Sequence, residues 1–231
     1  MYTALIKTDI DSILETISQT NDFDSQHQQL ADYGFHQSEI ARKGVYSRGI
    51  LMNDKYLIKF FSQEPYIYDN FKSFSGFTEY GYLKQLQSFG IEGVPHIYGY
   101  AEDNFMMVEF CGLMNLRKDN ISTLNLIEAE NLLRYLYGTF WSIYTATGTI
   151  PDDMLQKNIV ISDGKFTFVD YSAVSAFNSA YFAKSYLVHR LNFLFLRMYR
   201  AEQLNAHTYQ EIKKQLDLIE NTSLKNIAIP V

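Results

Sequence analysis

The stretch Ile150-Pro151-Asp152-Asp153-Met154-Leu155-Gln156-Lys157-Asn158-Ile159-Val160-Ile161-Ser162-Asp163-Gly164-Lys165-Phe166-Thr167-Phe168-Val169-Asp170-Tyr171-Ser172 decides how this chain reads. Its two apolar runs, 158–161 and 165–169, flank Ser162-Asp163-Gly164, a turn of the Asp-Gly type, and so spell a short hairpin. Around that hairpin stand Asp153, an asparagine five residues later at Asn158, and Asp170 twelve residues beyond it. Three oxygen-bearing side chains so placed can hold a hard divalent cation and leave a carboxylate near a reacting hydroxyl. The same residue types also cap backbone donors in turns, so the spacing alone does not separate a site from a loop.

The segments upstream separate them. Residues 45–52 and 56–61 are strand-like runs around Asn53-Asp54-Lys55, which predicts a hairpin carrying Lys59 on its second strand. Residues 71–89 return to helical spacing through Phe74, Phe77, Tyr82, Leu86 and Phe89, with Gly90 as the stop. Glu79 lies on that helix, twenty residues after Lys59. A cation on an apolar strand is costly unless paired, and Glu79 is a reasonable partner. The alternative is a lysine facing solvent from an edge strand. Residues 96–100 and 105–110 form a second expected hairpin, and Gly112 breaks the sheet. A long amphipathic helix follows over 126–147, and the chain is expected to be helical from about residue 177. Residues 9–18 carry Ile10, Ile13, Leu14 and Ile17 at helical spacing and predict a short N-terminal helix.

In this order the blocks resemble the protein-kinase-like superfamily. Asp153 to Asn158 has the spacing of its catalytic loop, Val169-Asp170-Tyr171-Ser172 stands at its metal-binding motif, and Met107-Val108-Glu109-Phe110-Cys111-Gly112 looks like its hinge. The resemblance implies an α+β, two-lobed fold: a small antiparallel N-lobe sheet with one main helix over 1–112, and a mostly helical C-lobe over 113–231. It further implies ATP and Mg2+ as cofactors. Asp153 would be the catalytic base, Asn158 and Asp170 the metal ligands, and Lys59, Glu79, Glu109 and Cys111 the nucleotide-binding set. Cys111 would be a small pocket residue, not a nucleophile.

Within that superfamily the blocks look most like the small bacterial lipopolysaccharide core heptose kinases. The Lys59 strand runs on into Ser62-Gln63-Glu64-Pro65, and residues 148–172 and the chain length of 231 also fit. What this implies is phosphorylation of a saccharide hydroxyl, with peripheral contact at the inner membrane. Two other readings stay open: a compact atypical Ser/Thr protein kinase, and a pseudokinase serving as a binding or scaffold module. The second is suggested by residues 41–49, which hold only Gly44 and Gly49 where a phosphate-covering loop wants several glycines.

Bulk composition bounds the rest. With 47% hydrophobic residues the chain can bury a sizeable core, and a net charge of -6 with dispersed cations argues against nucleic acid as a partner. One cysteine excludes a disulfide framework. Lys7, Asp9 and Asp11 interrupt any leader-like apolar run, so a cytoplasmic location is expected. The apolar stretch 181–199 is broken by Lys184, His189, Arg190 and Arg197 and predicts a buried helix, not a membrane span. The five histidines show no metal-ligand spacing.

Overall fold

A computed structural model describes residues 28, 37–40, 47–52, 56–61, 76–101, 105–112, 114–116 and 123–222. The expected helix at 9–18, the Ser62-Gln63-Glu64-Pro65 block and most of the 41–49 loop lie outside them. The chain divides into two compact units, one of Met1–Gln85 with Pro95–Phe110, the other of Leu86–Val94 with Cys111–Val231.

The first unit is built on one five-stranded antiparallel sheet. Its strands are β1 (Gln37–Ile40), β2 (Ser47–Met52), β3 (Tyr56–Phe61), β4 (Ile97–Ala101) and β5 (Phe105–Glu109). They lie in the order β1-β2-β3-β5-β4. Strand β3 is therefore interior, with Lys59 opposite Gly49 of β2 and Met106 of β5. The alternative of a lysine on an edge strand is thereby excluded. Ile58, Met106 and Met107 are fully buried; Met106 and Met107 are consecutive and so point to opposite faces, which means that β5 is covered on both. Helix α1 (Gly76–Ser88) places Glu79, Leu83 and Leu86 along one face, and all three are buried. It ends as expected at Gly90, whose φ of +68° lets Ile91 N–H reach back to Leu86 O at 3.1 Å.

The second unit is mostly helical. Helix α2 (Leu126–Thr147) starts at a reciprocal capping box between Asn125 and Glu128 and stops at Gly148, φ +74°. Its buried face carries Leu132, Leu136, Phe140 and Ile143. Two small sheets follow. Strands β6 (Met114–Asn115), β8 (Ile159–Ser162) and β9 (Lys165–Phe168) form one, in the order β6-β8-β9. Strand β7 (Thr149–Pro151) pairs antiparallel with β10 (Val174–Ala176) in the other. Helices α3 (Ala180–Arg200) and α4 (Ala206–Asn221) complete the unit. The architecture is α+β, as expected. The expectation of helix from about residue 177 is met from Ala180 onward, with residues 201–205 separating α3 from α4. No helix among the described residues is long and apolar enough to cross a membrane.

Candidate active site

The β8–β9 hairpin brings the acidic and amide residues of the second unit together. Ile159 pairs with Phe168, and Val169 N–H continues the ladder to Asn158 O at 2.9 Å. Asn158 and Asp170 thus stand at the open end of the same hairpin, one on each arm. Asn158 closes a single 3-10 turn (Gln156–Asn158), and its side chain is buried. Its Nδ2 donates to Asp153 Oδ2 and to Asp153 O, each at 2.9 Å. The Asp-to-Asn spacing read in the sequence is therefore a direct contact. Asp153 keeps 34% of its side chain exposed, with Lys157 Nζ 3.7 Å from Oδ2. The Asp153 carboxylate is thereby oriented from one side and open to solvent on another.

Asp170 is oriented by its own turn, with Oδ1 accepting from Ser172 N at 3.2 Å and from Ser172 Oγ at 2.6 Å. That assigns Ser172 a role in aiming Asp170. Because Nδ2 of Asn158 is spent on Asp153, its Oδ1 is left as an acceptor, as is Oδ2 of Asp170. One carboxylate and one amide oxygen fit Mg2+, a hard cation that takes few protein ligands and completes its shell with water and phosphate oxygens. Among the described residues no group of three His, Cys, Asp or Glu forms an all-protein cage.

Tyrosines and one arginine, which the spacing of motifs did not flag, support this arrangement. Tyr135 of α2 accepts from Phe168 N at 2.8 Å and donates to Gly93 O at 2.7 Å, tying β9 just before Asp170 to the segment after α1. Burial holds its hydroxyl well above the ordinary tyrosine range, the Phe168 amide opposing this and Cys111 adding to it. Gly93 is required there, since a Cβ would sit 2.8 Å from the Tyr135 ring. Asp152 receives Tyr186 Oη on Oδ1, Ser175 Oγ on Oδ2 at 2.9 Å, and the Arg190 guanidinium on its carbonyl. Burial first, and the Asp152 carboxylate second, push Tyr186 up to about 12, so it stays a donor at neutral pH. The available signal was the cation Arg190 inside an apolar helix.

In the first unit, Lys59 Nζ lies 2.8 Å from Glu79 Oε1, with the two side chains 18% and 6% exposed. Glu79 occupies the first turn of α1, where the helix dipole also favours a carboxylate. Glu109, the last residue of β5, is exposed; its N–H donates to His96 O at 2.7 Å and its Oε2 accepts from His96 N at 3.0 Å. Its amide is thus already committed to closing the sheet. Cys111 is a half-buried cysteine outside any disulfide, at the start of the segment leading to Gly112, φ +125°.

No family model matches the chain, and no curated protein matches it. Among solved structures it is similar to a chain in the structure of the CAK complex from Chaetomium thermophilum bound to ATP-gamma-S. The identity is 16% and the TM-score 0.49, over 70% of this chain and 53% of that one. The present chain thus spans about half the length of that neighbour.

Proposed function

We propose that the chain is an ATP- and Mg2+-dependent phosphotransferase acting on a hydroxyl acceptor. The observation that carries this is the 2.8 Å pair between Lys59, on an interior strand, and Glu79, on the helix that follows. A buried-side cation fixed by a carboxylate is what phosphate handling asks of such a sheet. Mg2+, when bound by Asn158 and Asp170, would offset charge on the nucleotide phosphates. Asp153 would accept the acceptor's proton as its oxygen attacks the terminal phosphorus and the bond to the departing ADP breaks. Asn158, by donating to Asp153, aims that carboxylate.

A small acceptor suits the second unit better than a protein substrate. Only residues 171–179 connect Asp170 to α3, and residues 174–176 of these are held in β10 against β7. This leaves a short segment for docking a peptide; the choice of a saccharide hydroxyl of the heptose kind rests on the resemblance of residues 148–172.

ATP with Mg2+ at millimolar concentration raises the melting temperature of the full chain, because a ligand that binds only the folded state stabilises it. Asp153→Ala lowers ATP turnover with an accepted sugar by about a thousandfold while retaining that shift. Absence of any shift sinks the nucleotide-binding claim. Unchanged turnover in Asp153→Ala sinks the assignment of Asp153 and leaves nucleotide binding standing.

A further inference from the structure

Asp152 and Asp153 are consecutive carboxylates that the second unit treats differently. Asp153 faces its own turn, through Asn158, and stays a third exposed. Asp152 is bound from elsewhere at every polar group. Its N–H donates to Ala173 O at 2.9 Å, its carbonyl takes the Arg190 guanidinium, and its two carboxylate oxygens take Tyr186 Oη and Ser175 Oγ. Tyr186 and Arg190 are four residues apart on α3 and so share one face of it. Ser175 pairs with Ile150 in the β7–β10 ladder, two residues upstream of Asp152.

At its far end the turn carrying Asp153 is held from outside by Gln156 Nε2, which donates to Gln203 Oε1 at 2.7 Å, and by Asn158 O, which accepts from Val169 N–H at 2.9 Å; around Asp153 the bonds are local. Met154 N–H bonds Asp152 O at 2.8 Å, Leu155 N–H bonds Asp153 O at 2.7 Å, and Asn158 N–H bonds Leu155 O at 2.9 Å. Each of these is a short-range bond that a floating loop could carry with it. Asp152 is where the turn is fastened to the long α3 helix. Its carbonyl joins the two systems, accepting from Arg190 on α3 and from Met154 within the turn.

We infer that Asp152, Tyr186, Ser175 and Arg190 form an anchor through which α3 positions Asp153. They are positioning residues, and none of them touches the reacting atoms. A displacement of about 1 Å at a reacting group costs on the order of a hundredfold in rate. Asp152 immediately precedes Asp153, so the position of Asp153 is sensitive to the hydrogen bonds that hold Asp152. The inference depends on the phosphotransferase reading for its kinetic consequence and is independent of it for its structural one.

The test uses the full chain and the variants Tyr186→Phe, Asp152→Asn and Asp152→Ala. Lys184→Met serves as a control for general loss of stability, because Lys184 lies on α3 yet bonds only the end of α4 among the contacts that describe it. Amide exchange is read first, without ligand. Exchange across residues 153–158 rises by about tenfold in Tyr186→Phe beyond any rise in Lys184→Met, while β8 and β9 are unaffected. Turnover is read second. Tyr186→Phe lowers kcat by about tenfold with KM for ATP within about twofold, and Asp152→Asn retains more activity than Asp152→Ala. Exchange across 153–158 that matches the Lys184→Met control overturns the anchor. A kcat loss no larger than that control's overturns its kinetic role. A wild-type chain without turnover removes the phosphotransferase reading, and the exchange measurement then decides the anchor alone.

Discussion

Lys59 and Lys184 are both lysines held in largely apolar surroundings, one in each unit, and they are satisfied by different means. Lys59 meets a carboxylate, Glu79, at 2.8 Å. Lys184, 3% exposed, donates to three backbone carbonyls at the end of α4: Ile219 O at 3.2 Å, Glu220 O at 2.7 Å and Thr222 O at 2.7 Å. Helix ends leave carbonyls unpaired and carry partial negative charge, so an ammonium there is a structural cap. A carboxylate partner is a full charge that a phosphate could share or displace. Burial of a lysine is therefore no index of function; the chemistry of its partner is.

That contrast can be broken experimentally. Glu79→Ala leaves Lys59 charged beside the sheet, and it is expected to cost about 2–3 kcal/mol in urea unfolding and to abolish stabilisation by ATP. Lys184→Met removes the ammonium from three carbonyls, of which Ile219 O keeps Thr222 N–H at 3.3 Å, and should cost about 1–2 kcal/mol, with the ATP-induced shift intact. The distinction fails if the two variants lose ATP stabilisation equally.

A third buried polar group sharpens the point. The Tyr137 hydroxyl of α2 is buried with no hydrogen-bond partner, so Tyr137→Phe removes an uncompensated desolvation cost and should stabilise the fold at neutral pH by about 1 kcal/mol. Burial pushes this hydroxyl up to about 12 from an ordinary value of 10.0. The folded state thus holds the proton where the unfolded chain releases it. Stability is fully present below pH 10 and falls as pH rises from 10 towards 12. Tyr137→Phe is expected to flatten that alkaline decline, measured as unfolding midpoint against pH. An unchanged slope would place the decline on other groups, such as Tyr186.

The α+β class was legible because periodicity is a local property. The hairpin strands, α1 with its glycine stop, and α2 all lie where spacing predicts them, within a few residues. Strands β6, β7 and β10 were not legible, since two or three residues carry no measurable period. The β7–β10 pairing joins segments more than twenty residues apart. The pairing of Lys59 with Glu79 was foreseeable from the cost of an unpaired cation on an apolar strand; the contact of Asp153 with Asn158 was not, because their spacing alone does not separate a site from a loop. The supports of the site were not, because Tyr135, Ser175, Tyr186 and Arg190 reach it from other elements.

Residue types and spacing by themselves determined that an oxygen-rich turn precedes a short hairpin, and that a lysine and a glutamate stand on a strand and the next helix. Which of two adjacent aspartates keeps an open carboxylate was decided only by the tertiary structure. Asp152 and Asp153 differ little as chain positions, but packing brings Tyr186, thirty-four residues away, onto the first and leaves the second to Asn158 and solvent. A carboxylate's role follows from where its hydrogen bonds are already spent, and that is a property of the folded neighbourhood.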